Sequence, residues 1–198
     1  MQPPSRKLKY HVAMSLDGFI AREDGSTDCF DTPPQEEHVL DYFASLALAY
    51  DTVLMGRSTY EVGLKFGVTD PYPGLEPYVF SRTLKESPDP RVHLVREDAA
   101  GVVRQLKARA GGSWDLSGII RGAAIQLPRD LYLCGGGQLA GTLFAEGLVD
   151  EVLVKLNPVV LGRGLPFVAG AGSDIKLELL STKSHRNGVV LLRYAVQR

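Results

Sequence analysis

Residues 131–144, LYLCGGGQLAGTLF, place three consecutive glycines between an apolar strand-like run and a helix-like pattern. Ordering Gly135, Gly136 and Gly137 costs more backbone entropy than ordering any other residue type, so this junction needs a compensating reason. One candidate reason is a tight turn. The other is close approach of backbone amides to an anionic ligand at a helix N-terminus. The apolar run before the glycines and the helical pattern after them predict a strand that leads directly into a helix.

The same alternation of strand and helix continues along most of the chain. Short apolar runs predict strands at residues 8–15, 52–55, 78–80, 92–95, 130–134 and 150–156. Helical spacing predicts helices at residues 35–50, 98–110 (with Asp98 as N-cap) and 138–146. The chain closes with strands at 175–184 and 188–196, joined by the hairpin signal Asn187-Gly188. This order predicts a single three-layer α/β/α domain over residues 1–198, with a mainly parallel sheet and an antiparallel hairpin at one edge.

Composition excludes several classes of function. The 198 residues carry a net charge of −1, which does not favour a general nucleic-acid or membrane surface. No apolar run approaches the roughly 20 residues of a membrane helix, and the first ten residues do not resemble a secretory signal. The two cysteines, Cys29 and Cys134, have no ligand-like spacing to a histidine, so we expect neither a metal site nor a disulfide framework. These features favour a cytoplasmic protein that acts on a small molecule.

Three predicted strand ends carry turn chemistry, and ligands of such sheets bind beyond the carboxyl ends of the strands. They are the ends at Ser15-Leu16-Asp17-Gly18, at Met55-Gly56-Arg57 and at Cys134-Gly135-Gly136-Gly137, and we expect them to meet in one cleft. The tetrapeptide Gly56-Arg57-Ser58-Thr59 offers a glycine, a guanidinium and two hydroxyls, all suited to phosphate. Alone, such a tetrapeptide is more often a surface ion pair beside a Ser or Thr helix cap. Ser81-Arg82-Thr83 repeats the pattern after the next strand and also fits an ordinary polar loop.

These residues resemble the dihydrofolate reductase-like superfamily. The segments YHVAMSLDGFIA, VLMGRSTYE and LYLCGGGQLAGTLFAEGLVDEVLVKLNPVVLGRGLPFV contain S-L-D-G, M-G-R-x-T-Y-E, G-G-G-x-L and N-P-x-x-x-G-x-G-x-P in the family's order. The chain is most similar to the branch that contains the C-terminal reductase domain of the bifunctional riboflavin-biosynthesis enzyme, RibD. The resemblance covers nearly the whole chain and implies a dihydrofolate reductase-like fold, NADPH as cofactor and hydride transfer as chemistry.

The resemblance also implies a set of cofactor-binding residues. Those expected at the cofactor phosphates are Gly56, Arg57, Ser58 and Thr59, with Ser81, Arg82 and Thr83 at the adenosine 2′-phosphate. Those expected beneath the pyrophosphate are Gly135, Gly136, Gly137, Gln138 and Leu139, and those expected beside the nicotinamide are Ala13 and Ile20. In the family a cis peptide joins the glycine pair, so a cis bond is expected between Gly135 and Gly136.

The substrate side is less closely defined. Asp17 matches the aspartate of S-L-D-G, which fits a catalytic residue and an Asx turn equally well. Folate reducers place a carboxylate on the first helix, a position that falls near Leu40 and Asp41 here. Asp41 is therefore a candidate acid, although solvated carboxylates are common in a first helical turn. Lys155 and Asn157 are candidate substrate contacts.

The sequence leaves three functions open. The first is an NADPH-dependent reductase of a small heterocycle, similar to 5-amino-6-(5-phosphoribosylamino)uracil reductase. The second is dihydrofolate reductase, and the third is a nucleotide-binding module without catalysis. Relatives of this branch commonly pair, so we expect a homodimer that uses the terminal hairpin. Residues 111–128 are expected to be a loop insertion serving as a lid, as a dimer contact or as a disordered segment.

Overall fold

The computed structural model describes residues 6–30, 39, 46, 49–109 and 129–198. The strands in these ranges are β1 (Leu8–Ser15), β2 (Phe19–Ala21), β3 (Tyr50–Gly56), β4 (Glu76–Phe80), β5 (His93–Val95), β6 (Asp130–Gly135), β7 (Glu151–Asn157), β8 (Leu165–Pro166), β9 (Leu177–Ser184) and β10 (Val190–Val196). The α-helices in the same ranges are α1 (Arg57–Lys65), α2 (Ala99–Ala108) and α3 (Gly137–Ala145). Within the described ranges, Asp28–Phe30 forms a 3-10 turn.

One large sheet organises the described part of the chain. Its eight strands lie in the order β5-β4-β3-β6-β1-β7-β10-β9. Neighbours from β5 to β7 are parallel, whereas β10 is antiparallel to both β7 and β9. The predicted parallel sheet with an antiparallel hairpin at its edge is therefore confirmed.

Two hydrophobic clusters cover the two faces of this sheet, because successive side chains of a strand point to opposite sides. On β6, Leu131 and Leu133 belong to the cluster that contains residues of α2 and α3. Tyr132 between them belongs to the second cluster, which contains Tyr60 of α1. The central strands are thus buried on both faces, which explains their continuous apolar runs, and the three predicted layers are present.

Local sequence signals account for the helix start and the hairpin. Asp98 caps α2 by accepting a hydrogen bond of 2.8 Å from the backbone N–H of Gly101, as predicted. The turn between β9 and β10 is closed by the Gly188 N–H donating to the His185 carbonyl at 3.0 Å. Gly188 has a φ of +86°, a conformation that favours glycine, so the Asn187-Gly188 signal is confirmed.

Two short strands were not predicted from the sequence. Phe19–Ala21 pairs antiparallel with Leu165–Pro166 in a separate two-stranded sheet. Neither segment is long enough to show an alternating pattern of apolar and polar residues. A boundary also differs from the prediction, because Tyr50 begins β3 instead of ending the predicted first helix. Most of that predicted helix and the predicted insertion at 111–128 lie outside the described residues. No described helix is long and apolar enough to cross a membrane.

Candidate active site

The carboxyl ends of the central strands meet at one edge of the sheet. In register, Gly56 at the end of β3 pairs with Phe80 at the end of β4, and Met55 pairs with Gly135 at the end of β6. Ser15 at the end of β1 pairs with Asn157 at the end of β7. The expected convergence of the strand ends is therefore present in the structure.

Two helices begin side by side at this edge, each with a glycine N-cap. Gly56 precedes α1 and Gly136 precedes α3, and no side chain caps either helix. A Cβ built on Gly56 would lie 3.8 Å from the Gly136 nitrogen, and one built on Gly136 would lie 3.7 Å from Thr59 Oγ1. Uncapped N-terminal amides carry partial positive charge, so this pair of helix starts forms a site suited to an anion.

The expectation of a cis peptide between Gly135 and Gly136 is wrong, because the bond is trans. The chain turns by a different means: Gly135 has a φ of +152°, a conformation open to glycine and rarely adopted by other residues. Gly136 then returns to ordinary backbone angles of φ −46° and ψ 152°. The turn from β6 into α3 therefore needs a glycine at position 135 for its backbone angles.

Gly137 must be glycine for a different reason, which is its packing against another segment. A Cβ on Gly137 would overlap the backbone carbonyl oxygen of Pro166, and one on Gly141 would overlap that of Ala169. The Ala169 N–H also donates to the Gly137 carbonyl at 3.0 Å. The first turns of α3 therefore pack directly on the backbone of residues 166–169, and both glycines serve this packing. Of the three consecutive glycines, only Gly136 has neither a backbone nor a protein-packing requirement.

The segments at residues 56–59 and 81–83, each of which carries hydroxyl groups and an arginine, lie together. Arg57 Nη1 donates to Thr83 Oγ1 at 3.1 Å, which connects the start of α1 to the loop after β4. Ser81 Oγ accepts hydrogen bonds from the backbone N–H groups of Thr83 and Leu84, at 3.2 and 2.8 Å. Arg57, Ser58, Arg82 and Thr83 are all exposed. The geometry thus gathers hydroxyls and guanidinium groups at the ends of β3 and β4.

A further arginine at this edge was not identified from the sequence as a candidate site residue. Arg96 directly follows β5, and its Nη1 and Nη2 atoms donate to the carbonyls of Leu84 and Lys85 at 2.8 and 2.6 Å. It therefore lies against the loop that begins at Ser81. The available signal was its position one residue after a strand that neighbours β4, but strand order is not visible in a single sequence.

Asp17 is engaged in a backbone contact between two loops. Its carboxylate accepts hydrogen bonds from the N–H groups of Leu161 and Gly162, the shortest being 2.7 Å. A hydrogen bond with Ser15 is the main cause that lowers the pKa of Asp17, and these backbone bonds add to it. An anionic carboxylate that accepts several N–H groups fits a structural role at the β1 turn better than that of a proton donor.

The other predicted residues occupy the same edge with different environments. Asn157 is buried, and its Nδ2 donates to the carbonyls of Met14 and Lys155 at 3.2 and 2.9 Å, which joins the ends of β1 and β7. Lys155 pairs in register with Ala13, and both are half-buried. The remaining predicted cofactor contacts are half-buried Ile20 and Leu139 and exposed Gln138. Asp41 lies outside the described residues and stays a prediction.

Residues 6–191 of the chain match the model of the RibD C-terminal domain. The chain belongs to the RibD C-terminal domain family. It is 31% identical over 186 residues to the uncharacterised protein YwjB of Bacillus subtilis strain 168, covering 94% of this chain and 96% of that protein. It is 28% identical over 201 residues to the uncharacterised protein YyaP of the same strain, covering 96% and 94%.

Several solved structures share the fold of this RibD C-terminal domain. A putative riboflavin biosynthesis protein from Shewanella sp. PV-4 has a TM-score of 0.76 at 25% identity, covering 98% of this chain and 99% of that chain. A pyrimidine reductase-like protein from Corynebacterium diphtheriae has a TM-score of 0.60 at 14% identity, covering 98% and 92%. Dihydrofolate reductase from Enterococcus faecalis, complexed with NADP(H) and RAB-propyl, has a TM-score of 0.62 at 13% identity, covering 97% of each chain. The fold is therefore dihydrofolate reductase-like, as the resemblance implied.

Proposed function

We propose that the protein is an NADPH-dependent reductase that transfers hydride to a small heterocyclic substrate, similar to 5-amino-6-(5-phosphoribosylamino)uracil reductase of riboflavin biosynthesis. The observation that carries this proposal is the pair of helices whose N-caps, Gly56 and Gly136, lie against each other without a capping side chain. By contrast, the neighbouring helix α2 is capped by Asp98, which leaves no comparable site for an anion there. Membership of a reductase family supports the same assignment.

The residues at this edge fit the parts of NADPH. The N-termini of α1 and α3 would hold the diphosphate through backbone N–H groups. Arg57, Ser81, Arg82 and Arg96 would hold the 2′-phosphate, since guanidinium and hydroxyl groups suit a phosphate dianion. When bound, the cofactor supplies the hydride. The residues named here would bind the cofactor and orient it.

The cofactor assignment predicts a strong preference for NADPH over NADH. In calorimetric titrations we expect Arg57→Ala to weaken NADPH binding by about 1–3 kcal/mol, or roughly 5- to 150-fold, because a charge-assisted phosphate contact is lost. NADH, which lacks the 2′-phosphate, should be affected less. Arg104→Ala is the matched control, since Arg104 is an exposed arginine on α2 paired with Glu146. Equal affinity for NADPH and NADH in the unmodified protein would contradict the assignment.

Turnover assays separate the three functions that the sequence left open. With bound NADPH, oxidation in the presence of 5-amino-6-(5-phosphoribosylamino)uracil supports the proposed reductase. Oxidation with dihydrofolate instead would favour folate reduction. NADPH binding without oxidation by either compound would favour a binding module.

We also propose that the protein forms a homodimer through its C-terminal hairpin. Every residue of the edge strand β9 is exposed, including Leu177, Leu179 and Leu180. An edge strand with exposed leucines is a ready surface for pairing with a second copy. Light scattering after size-exclusion chromatography should give twice the 21.5 kDa chain mass. Leu179→Asp should shift the equilibrium to the monomer, and a monomeric unmodified protein would contradict the proposal.

A further inference from the structure

A phenol and a thiol meet beside the turn from β6 into α3 at residues 135–137, which we call the glycine turn. Tyr72 Oη lies 2.9 Å from Cys134 Sγ and 3.4 Å from Tyr132 Oη. Cys134 immediately precedes Gly135 at the end of β6, on the sheet face opposite α3. Tyr72 and Cys134 are partly exposed, whereas Tyr132 is only 1% exposed. The Tyr72 hydroxyl therefore lies at the edge where the strand ends converge and is supported from behind by a buried phenol.

The loop that carries Tyr72 is fixed at several points. Asp70 Oδ1 accepts the Tyr72 N–H at 3.2 Å, and the Leu75 N–H donates to the Tyr72 carbonyl at 3.1 Å. Asp70 is also paired with Arg91 at 2.9 Å. The Tyr72 ring itself packs edge-to-face on Tyr132, with centroids 5.2 Å apart. These contacts hold the hydroxyl in one orientation, which a group that transfers a proton requires.

A thiol and an imidazole on the Tyr72 side of the sheet are both uncharged at neutral pH. Burial raises the pKa of the Cys134 thiol, so that it retains its proton. His11, whose ring lies 5.9 Å from that of Tyr132, has its pKa lowered to about 3 by burial and is uncharged at neutral pH. Asp17 at the same edge is anionic and accepts backbone N–H groups, so it has no proton to give. Tyr72 and Cys134 each carry an exchangeable proton at a partly exposed position, and the loop contacts described above fix the direction of the Tyr72 hydroxyl.

We propose that Tyr72 donates the proton that completes reduction of the substrate, with Cys134 and Tyr132 as positioning residues for its hydroxyl. This rests on the proposed reductase function. A C=N or C=O carbon of the substrate accepts a hydride, with two electrons, from the dihydronicotinamide of NADPH. The π electrons of that bond move to the nitrogen or oxygen, which takes the proton from Tyr72 Oη. NADP⁺ leaves, and water returns a proton to the Tyr72 phenolate.

The first test is independent of turnover. Alkylation of Cys134 by iodoacetamide, carried out at alkaline pH because the reagent attacks the thiolate, is followed by mass spectrometry with Cys29 as the internal reference thiol. If the pair borders the cofactor and substrate site, NADPH with 5-amino-6-(5-phosphoribosylamino)uracil should slow alkylation of Cys134 relative to Cys29 several-fold. No protection of Cys134 overturns the proposal.

The second test compares Tyr72→Phe with Tyr78→Phe. Tyr78 is the matched control, because its hydroxyl bonds Glu76 and Arg109 near the start of β4, away from the glycine turn. Tyr72→Phe should bind NADPH with unchanged affinity, slow single-turnover hydride transfer about 100-fold, and lose the fall in rate at alkaline pH that reports deprotonation of the donor. Tyr78→Phe should behave like the unmodified protein.

Three outcomes separate this proposal from the function on which it rests. An unmodified protein that does not bind NADPH contradicts both. Normal NADPH binding, with Tyr72→Phe within threefold of the original rate and an unchanged pH profile, overturns only the role of Tyr72. A large loss in Asp41→Asn, without one in Tyr72→Phe, assigns the proton to Asp41 instead.

Discussion

Gly136→Ala is expected to lose most of its affinity for NADPH while the fold remains intact. The backbone angles at Gly136 suit any residue, and the Cβ would approach the protein no closer than 3.7 Å, at Thr59 Oγ1. Replacing a glycine at such a position stabilises a protein by about 0.4–1 kcal/mol, because the unfolded chain loses conformational freedom. The new methyl group would instead occupy space that a diphosphate needs at the N-terminus of α3. We expect affinity to fall by on the order of 100-fold or more, a loss of about 3 kcal/mol.

Calorimetry with NADPH and thermal unfolding without ligand measure the two effects separately. Gly135→Ala is the informative comparison, since its φ of +152° makes that variant unstable as well as inactive. Gly56→Ala should resemble Gly136→Ala, because its Cβ meets only Gly135 and Gly136 backbone atoms at 3.8 Å. Undiminished NADPH binding in Gly136→Ala would place the cofactor elsewhere.

Gly141→Ala is expected to produce the opposite result, a large loss of stability at a position away from the glycine turn. Gly141 is buried in α3, and its Cβ would overlap the Ala169 carbonyl oxygen. Backbone atoms cannot rotate away as a side chain does, so the helix and the segment must separate. We expect destabilisation of about 3 kcal/mol despite the higher helix propensity of alanine. For a chain of this size that corresponds to a fall of roughly 6–12 °C in Tm.

Chemical and thermal denaturation without ligand test this expectation. Gln138→Ala is the matched control, since Gln138 lies on the same helix and is exposed. That control should change stability by no more than about 0.5 kcal/mol. A Gly141→Ala protein with the stability of the control would show that α3 does not pack on residue 169 in solution.

Local signals in the sequence were sufficient to predict two kinds of element. One kind forms its backbone hydrogen bonds within a few residues, and the other is a strand that is buried on both faces. The apolar runs of β1, β3 and β6 identify central parallel strands, and Asp98 and Asn187-Gly188 identify a helix start and a hairpin by chemistry that acts within four residues. The family signatures then implied the dihydrofolate reductase-like fold, which the similar structures confirm. The residues assigned to the cofactor remain predictions, although the fold brings their strand ends together.

Contacts between distant segments were not predictable in the same way. The pairing of β2 with β8, the contact of Asp17 with Leu161 and Gly162, and the contact of Arg96 with the loop after Ser81 each join segments whose proximity depends on the order of the strands. The cis peptide expected between Gly135 and Gly136 was wrong, since the bond is trans and Gly135 has a positive φ. The Tyr72–Cys134 pair is separated by 62 residues and leaves no local pattern.

The sequence by itself determined that a strand, a glycine turn and a helix follow one another at residues 130–145. The hydrophobic periodicity and the backbone freedom of glycine that indicate these elements depend only on neighbouring residues. Only the tertiary structure decided why each glycine is there. Gly135 turns the backbone, Gly137 and Gly141 allow α3 to contact residues 166–169, and Gly136 leaves space beside Gly56. The physical reason is steric: whether a missing side chain serves a turn, a packing contact or a ligand depends on which atoms the fold brings next to it.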